Sequence, residues 1–388
     1  MPYRHIPNLV GETVDAGRLL VVEVLGTGAF GAVYRAEDTL TSTHYAIKCL
    51  FPDSPARQAL LAKRGLSVDY RFAVEAEHHA LASDHPNVLT LHRTFTEQGD
   101  RYLVLDLCEG GTLLEVLQTP HFWQRDDRIK QAFIQLVDAV SHCHNKGIAH
   151  RDLKPDNILL SADKHHYYLA DFGLATKVIT SHGFGAGSKC YKSPECIGKE
   201  HSAKTYDTQT SDVWAIGIIL INVLTGQFPW EKALTSDEHY EQYLKERTHL
   251  SFMTPLSPQA NALLSRVLEP NPILRITLAE LRNELIGVER FLMSEAELAH
   301  ASEYARDAYE GRAQSLGVEY RLPPAVDSSP PTPSMPSTPD LVWAPDTTQT
   351  SDIRTPSPLT VIVTDLVTTS SAVDEGNQTR AMHNMKIR

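Results

Sequence analysis

The sequence predicts an α+β protein of two lobes: a small β-rich N-terminal lobe with one helix, then a larger helical C-terminal lobe. Three observations predict it. Period-two runs dominate from Arg18 to about Leu107, helical periodicity dominates from Leu113 onward, and the composition changes sharply near Leu322. The expected boundaries are an N-terminal extension over 1–18 and a folded domain over 19–292, with lobes 19–107 and 108–292. A helical extension over 293–324 and a disordered tail over 325–388 follow.

Each element has its own signal. LLVVEVLG and FGAVYRAED are β-type runs on either side of a glycine turn; THYAIKCL is a third, and RYLVLDL closes the set. One helix interrupts them around Tyr70–Ala82. In the second lobe, DRIKQAFIQLVDAVSHCHNKG reads as a long amphipathic helix stopped by Gly147. SDVWAIGIILINVLTG is apolar nearly all round and reads as a buried helix. Ser294–Leu316 reads as one further helix, with Ser294 as N-cap and Glu297 at the capping-box position. The tail is rich in Pro, Ser and Thr and cannot bury enough apolar surface to offset its ordering entropy. Its apolar exception, Leu359–Val367, reads as transient extended structure or a docking strand. Ser329, Thr332, Thr338, Thr355 and Ser357 each precede proline, which suggests regulatory phosphorylation of the tail or plain linker composition.

Composition narrows the function. The chain has 48 acidic and 36 basic residues, a formal net charge of −12, which argues against nucleic-acid binding through a general basic face. The five cysteines are odd in number and none sits in a C-x-x-C pair, so a reducing compartment, cytoplasmic or nuclear, is expected. The first residues lack the apolar stretch of a signal peptide, and no run approaches the roughly 18 apolar residues of a membrane span. Neither nucleic acid nor membrane is therefore an expected partner, and a monomer is expected. The eighteen histidines, including His142, His144, His165 and His166, read as scattered surface and core residues rather than metal ligands.

The motifs carry the chemistry. Gly26-Thr27-Gly28-Ala29-Phe30-Gly31-Ala32-Val33 lies between two expected strands, and its glycines let backbone approach phosphate oxygens. A dinucleotide-binding G-x-G-x-x-G would open a helix, whereas AVYRAED favours a strand; a plain glycine hairpin stays open at this point. Lys48 ends an apolar strand seventeen residues after Gly31 and needs an anionic partner, for which phosphate held beside a helix glutamate would serve. His150-Arg151-Asp152-Leu153-Lys154-Pro155-Asp156-Asn157 is highly specific, and Asp171-Phe172-Gly173 follows nineteen residues after Asp152. Ser193-Pro194-Glu195, Asp212 and Arg275 come later in the same order.

Over about 19–292 these motifs resemble the protein kinase superfamily, serine/threonine branch, and with it the bilobal protein kinase fold. The resemblance implies transfer of the γ-phosphate of ATP to protein hydroxyls. It makes Asp152 the catalytic base and puts Lys154 beside the transferred group and Lys48 on the phosphates. Mg2+ would be held by Asn157 and Asp171. The hinge is expected at Leu105, Asp106 and Cys108, with Leu105 behind the adenine and backbone groups of Asp106 and Cys108 on its edge. Val33, Ala46 and Leu159 would sandwich the ring. Arg275 would pair with Glu195, and Asp212 would brace the catalytic loop. The helix glutamate is Glu75 or Glu77, with Glu75 preferred. The stretches Glu75–Val88 and Phe184–Cys196 are similar to fungal kinases that restrain meiosis and respond to nutrients. Asp156 fills one position that reads basic substrate residues, but Thr112 and Asn222 occupy two others, so a strong arginine preference is not expected. Arg151 before Asp152 usually accompanies an activation-loop phosphate, but the segment from Asp171 to Glu195 is short, so a phosphate on Thr180 or Ser181 is not expected to be strictly required. Ser188 is expected to bond Asp152 and Lys154, Ser193 to be packed, and Thr180 and Ser181 to be exposed, with Lys177 and Arg151 as available cations. A catalytically dead scaffold is disfavoured because Lys48, Asp152, Asn157 and Asp171 are all present. A small-molecule phosphotransferase is disfavoured by Ser193-Pro194-Glu195, Asp212 and Arg275.

Overall fold

Alternating burial along the first strands builds the N-terminal lobe. The computed structural model describes residues 8–27, 31–50, 68–200 and 204–325. Strands β1 (Thr13–Val14), β2 (Leu19–Thr27), β3 (Gly31–Asp38), β4 (His44–Leu50), β5 (Leu91–Glu97) and β6 (Asp100–Asp106) form one antiparallel sheet in the order β1-β2-β3-β4-β6-β5. Ala32, Tyr34 and Ala36 of β3 point to one face, where they join Leu19, Val21, Ile47, Tyr102 and Val104 in an outer core. The other face carries Ala46, Leu103 and Leu105, with Val33 half buried beside them. Register puts Lys48 between Val33 and Leu103, so this lysine shares the apolar inner face. Helix α1 (Val68–Ala82) packs on β5 and buries Glu75, His78, His79 and Ala82, an i, i+3, i+4, i+7 stripe.

In the second lobe come α2 (Leu113–Val116), α3 (Asp126–Asn145), the pair β7 (Ile158–Leu160) and β8 (Tyr167–Leu169), and β9 (Thr180–Ser181). They are followed by α4 (Pro194–Ile197), β10 (Tyr206–Asp207), which pairs with β9, and α5 (Thr208–Thr225). Helices α6 (Glu238–Lys245), α7 (His249–Met253), α8 (Pro258–Val267), α9 (Leu278–Gly287), α10 (Glu295–Ala299) and α11 (Glu303–Ser315) complete the lobe. The α5 helix is buried almost all round and forms the axis of the core. Asp207 caps its start by accepting from Gln209 and Thr210 amides, and Gly226 ends it in the left-handed conformation (φ 73°). The α3 helix turns Ile129, Phe133, Leu136, Val137 and Val140 inward and stops before Gly147 (φ 74°).

Two features differ from expectation. Residues 294–316 form two helices rather than one. Ser294 and Glu297 make the expected capping box, but Ser302 caps a second start by accepting from the Ala305 amide, and the chain turns between them. Both helices send side chains into the lobe: Leu298, Ala305 and Tyr309 are buried. Ahead of position 19, β1 already pairs with β2, and Val14 enters the outer core. Gly28, Ala29, Phe30 and the tail from 326 onward lie outside the described residues.

Candidate active site

Lys48 is the point where the two lobes meet electrostatically. Its Nζ lies 2.7 Å from Glu75 Oε1 and 2.8 Å from Asp171 Oδ1. Glu75 sits on the buried stripe of α1, whereas Glu77 points outward and pairs with Lys177 at 2.6 Å. Burial by itself would lower the Lys48 pKa; the Glu75 and Asp171 charges outweigh it and hold the lysine above its ordinary value. Burial likewise pushes Asp171 up, but the adjacent Lys48 charge dominates and leaves it at about 2. Both groups are therefore ionised at neutral pH.

The loop after α3 is shaped from beneath by α5. Asp212, buried on α5, accepts from the amides of His150 and Arg151, each at 2.8 Å, and bonds His144 Nε2 at 2.9 Å. These bonds hold Arg151 in the left-handed region (φ 63°), where a non-glycine residue is strained. Asp152 is thereby presented with both oxygens engaged. Ser188 Oγ donates to Oδ1 at 2.8 Å, and Lys154 Nζ stands 3.1 Å from Oδ2 and 3.2 Å from Ser188 Oγ. Asn157 Nδ2 donates to the Asp152 carbonyl at 2.8 Å and approaches Asp152 Oδ2 at 3.3 Å. Both neighbours are acceptors, which fixes the amide orientation and turns its oxygen, a hard donor atom, the other way. Asp171 is also left-handed (φ 64°). Beside it Phe172 is buried between His79 (stacked, centroids 4.7 Å apart) and His150 (edge-on, 5.2 Å). Burial pushes His79 down to about 4, so the neutral ring donates Nε2–H to the Leu89 carbonyl at 2.7 Å.

These groups open into one cleft of about 870 Å³. Val33, Ala46, Leu105 and Leu159 give it apolar lining, with Asp106 and Cys108 beside them. Lys48, Glu75, Asp152, Lys154, Asn157 and Asp171 give it a polar part, and Gly26, Thr27 and Gly31 also border it. Burial raises the Cys108 thiol to about 12, so it lines the cleft as a neutral side chain. Gly31 has a reason the sequence did not suggest: a Cβ there would collide with the Cys49 carbonyl of the neighbouring strand. The sequence reading also missed Phe72, Leu89, Leu103 and Ala170 in the lining. For Leu103 a signal existed, since it stands two positions before Leu105 and so shares its face of the strand.

The segment after Asp171 is fixed at several points. Glu195 and Arg275 form a buried bidentate pair at 2.5 and 3.0 Å. Ser193 is buried, and its hydroxyl lies 2.9 Å from that of Ser211. Thr180 is exposed, but Ser181 is buried and its Oγ accepts from the Gly183 amide at 2.9 Å, because β9 alternates toward the lobe. Lys177, one of the two expected cations, is exposed and pairs with Glu77. Arg151 Nε donates to the Leu174 carbonyl at 2.8 Å.

Comparison with known proteins agrees with this geometry. Residues 19–285 match the family model described as "Protein kinase domain". The "Negative regulator of sexual conjugation and meiosis" of Schizosaccharomyces pombe is 38% identical over 299 residues, covering 72% of this chain and 62% of that protein. The "CBL-interacting protein kinase 20" of Oryza sativa subsp. japonica is 34% identical, covering 69% and 57%. The "Serine/threonine-protein kinase VHS1" of Saccharomyces cerevisiae is 28% identical, covering 75% and 74%. The chain thus spans about three fifths of the length of the first two relatives. On the family match, and with an α+β bilobal architecture around this cleft, the chain belongs to the protein kinase domain family.

Proposed function

We propose that this chain is a serine/threonine protein kinase, transferring the γ-phosphate of ATP to serine or threonine hydroxyls of protein substrates. The observation that carries the reading is Asp152. Its carboxylate is held by Ser188 and Lys154 in the same cleft as the Lys48–Glu75–Asp171 cluster. Lys154, two residues after Asp152, and the printed names of several relatives support the serine/threonine branch.

The residues divide the work. Val33, Ala46 and Leu159 enclose the adenine, Leu105 lies behind it, and backbone groups of Asp106 and Cys108 bond its edge. Gly26, Thr27 and Gly31, at the border of the cleft, lie over the phosphates, and Lys48, set by Glu75, balances their charge. Asp152 orients the substrate hydroxyl and accepts its proton, and Lys154 offsets charge on the moving phosphoryl group. The donor set formed by the Asp171 carboxylate and the Asn157 amide oxygen suits a hard divalent cation such as Mg2+. Bound there with ATP, Mg2+ would neutralise phosphate charge and polarise the terminal group.

The test is the initial rate of phosphate transfer from labelled ATP, with magnesium, to a generic protein substrate. Wild type should transfer; Lys48→Met and Asp171→Asn should remain folded by circular dichroism and lose at least ~10³-fold in rate. Ordinary turnover by either variant contradicts the site assignment. Nucleotide binding without transfer by wild type would make the chain a scaffold.

A further inference from the structure

The residues beyond the family match, after 285, reach back to the lip of the cleft. Gly111, Thr112 and Glu115 border the cleft, at the start of α2. A link over 117–124 then leads from the end of α2 toward α3. Helix α11, almost two hundred residues later in the chain, holds that link at both ends. Arg312 Nη2 donates to the carbonyl of Leu117, the C-cap of α2, at 2.9 Å. At the other end, Gln124 Nε2 donates to Tyr309 Oη at 2.7 Å, and the Tyr309 ring lies 4.9 Å from that of Trp123. Gln124 is left-handed (φ 51°), a strained conformation that needs support.

Arg312 is unusual in its surroundings. It is 8% exposed and makes no ion pair among the described residues. It also lies across Gly226, the C-cap of α5, where a Cβ would come within 2.7 Å of Nη1. The guanidinium thus bonds the end of α2 and packs against the end of α5. A buried cation without a counter-charge is costly, and an apolar side chain of similar length would satisfy packing better. What an apolar side chain lacks is the donor to Leu117.

We infer that α11 is a clamp on the nucleotide site, with Arg312 the positioning residue that holds α2, and so the Gly111–Glu115 lip, against α5. This rests on the proposed reading of the cleft as the ATP site. The experiment uses the full chain and three variants: Arg312→Met, Arg312→Lys and Tyr309→Phe. Each is measured for KM (ATP) and kcat, for ATP affinity by calorimetry with magnesium, and for thermal midpoint. In Arg312→Met, relief of the unpaired buried charge offsets the donor lost to the Leu117 carbonyl, so the variant should melt close to wild type. Its KM and Kd for ATP should rise about fivefold, the equivalent of one lost hydrogen bond, with kcat within about twofold. Arg312→Lys, which keeps a donor, should recover most of the affinity. Unchanged KM and Kd in a folded Arg312→Met would overturn the clamp. If that variant does not fold, Tyr309→Phe, which removes the other bond and keeps the ring, decides on the same criterion. A wild type that binds ATP but transfers nothing would refute the kinase reading, while the Kd shift would still decide the clamp.

Discussion

Acid should loosen the site at one identifiable residue, His79. Its ring is buried against Phe172 and donates to the Leu89 carbonyl, and burial lowers its pKa from 6.5 to about 4, the carbonyl bond offsetting this only in part. The folded state therefore holds the ring neutral down to about pH 4, whereas the unfolded chain protonates it below about 6.5. Between these values the unfolded state binds more protons, so stability rises with pH and is lost as pH falls through the window. Each unit inside it costs about 1.4 kcal/mol, so a fall from pH 7.5 to 5.0 removes about 2 kcal/mol through His79 alone. Other histidines are lowered too, His121 to about 4 and His78, His85 and His249 in the same direction, so the comparison needs His79→Leu. At pH 7.5 the variant should be less stable by about 1–2 kcal/mol, because the Leu89 carbonyl loses its donor. By pH 5.0 the gap should have closed. Urea denaturation followed by tryptophan fluorescence at half-unit pH steps measures this directly. Parallel stability curves for the two proteins would refute the reasoning, since they would mean that His79 protonates alike in both states.

Three further outcomes follow from other contacts. Glu75→Gln should cut kcat/KM by at least ~10-fold because it frees a half-buried Lys48, while Glu77→Gln, which breaks an exposed pair, should stay within about twofold. Either Glu195→Gln or Arg275→Met should destabilise the fold by about 3–5 kcal/mol in urea titration, since each strands a buried charge. After phosphatase treatment, Thr180→Ala/Ser181→Ala should keep most of the initial rate and Ser188→Ala should lose most of it; the reverse pattern would make this a phosphate-switched kinase.

What the sequence revealed and what it hid divide along physical lines. That Asp152, Lys154, Asn157 and Asp171 meet at one cleft is legible because they belong to two specific motifs. The α5 helix is legible because burial on all sides leaves no polar stripe. Glu75 and Glu77 stay ambiguous in sequence because both lie on one helix at plausible distances from the strand lysine; only the buried stripe with His78, His79 and Ala82 separates them. Ser181 was misread because β9 has two residues, too few for an alternation to show. Arg312 and Tyr309 were illegible for a different reason. Their partners, Leu117 and Gln124, are 195 and 185 positions away, and an arginine in a polar-looking helix carries no sign that it is buried.

The contacts of α1 join it both to the cleft and to the segment that follows Asp171. Three residues of one helix tie it to three places: Glu75 to Lys48, Glu77 to Lys177 of the segment, and His79 to Leu89 and Phe172. These ties are unequal. The Glu77–Lys177 pair is exposed on both sides and screened by solvent, too weak to set the helix position by itself. The His79 bond and the Phe172 stack are buried and hold the helix against the residue that follows Asp171. Helix position is therefore set from inside the core, and the Glu77–Lys177 pair only guides the segment across it. Arg151 meets the segment through the Leu174 carbonyl, and β9 is pinned by β10. Helix position and the course of the segment thus rest on separate contacts, the first buried and the second exposed to solvent.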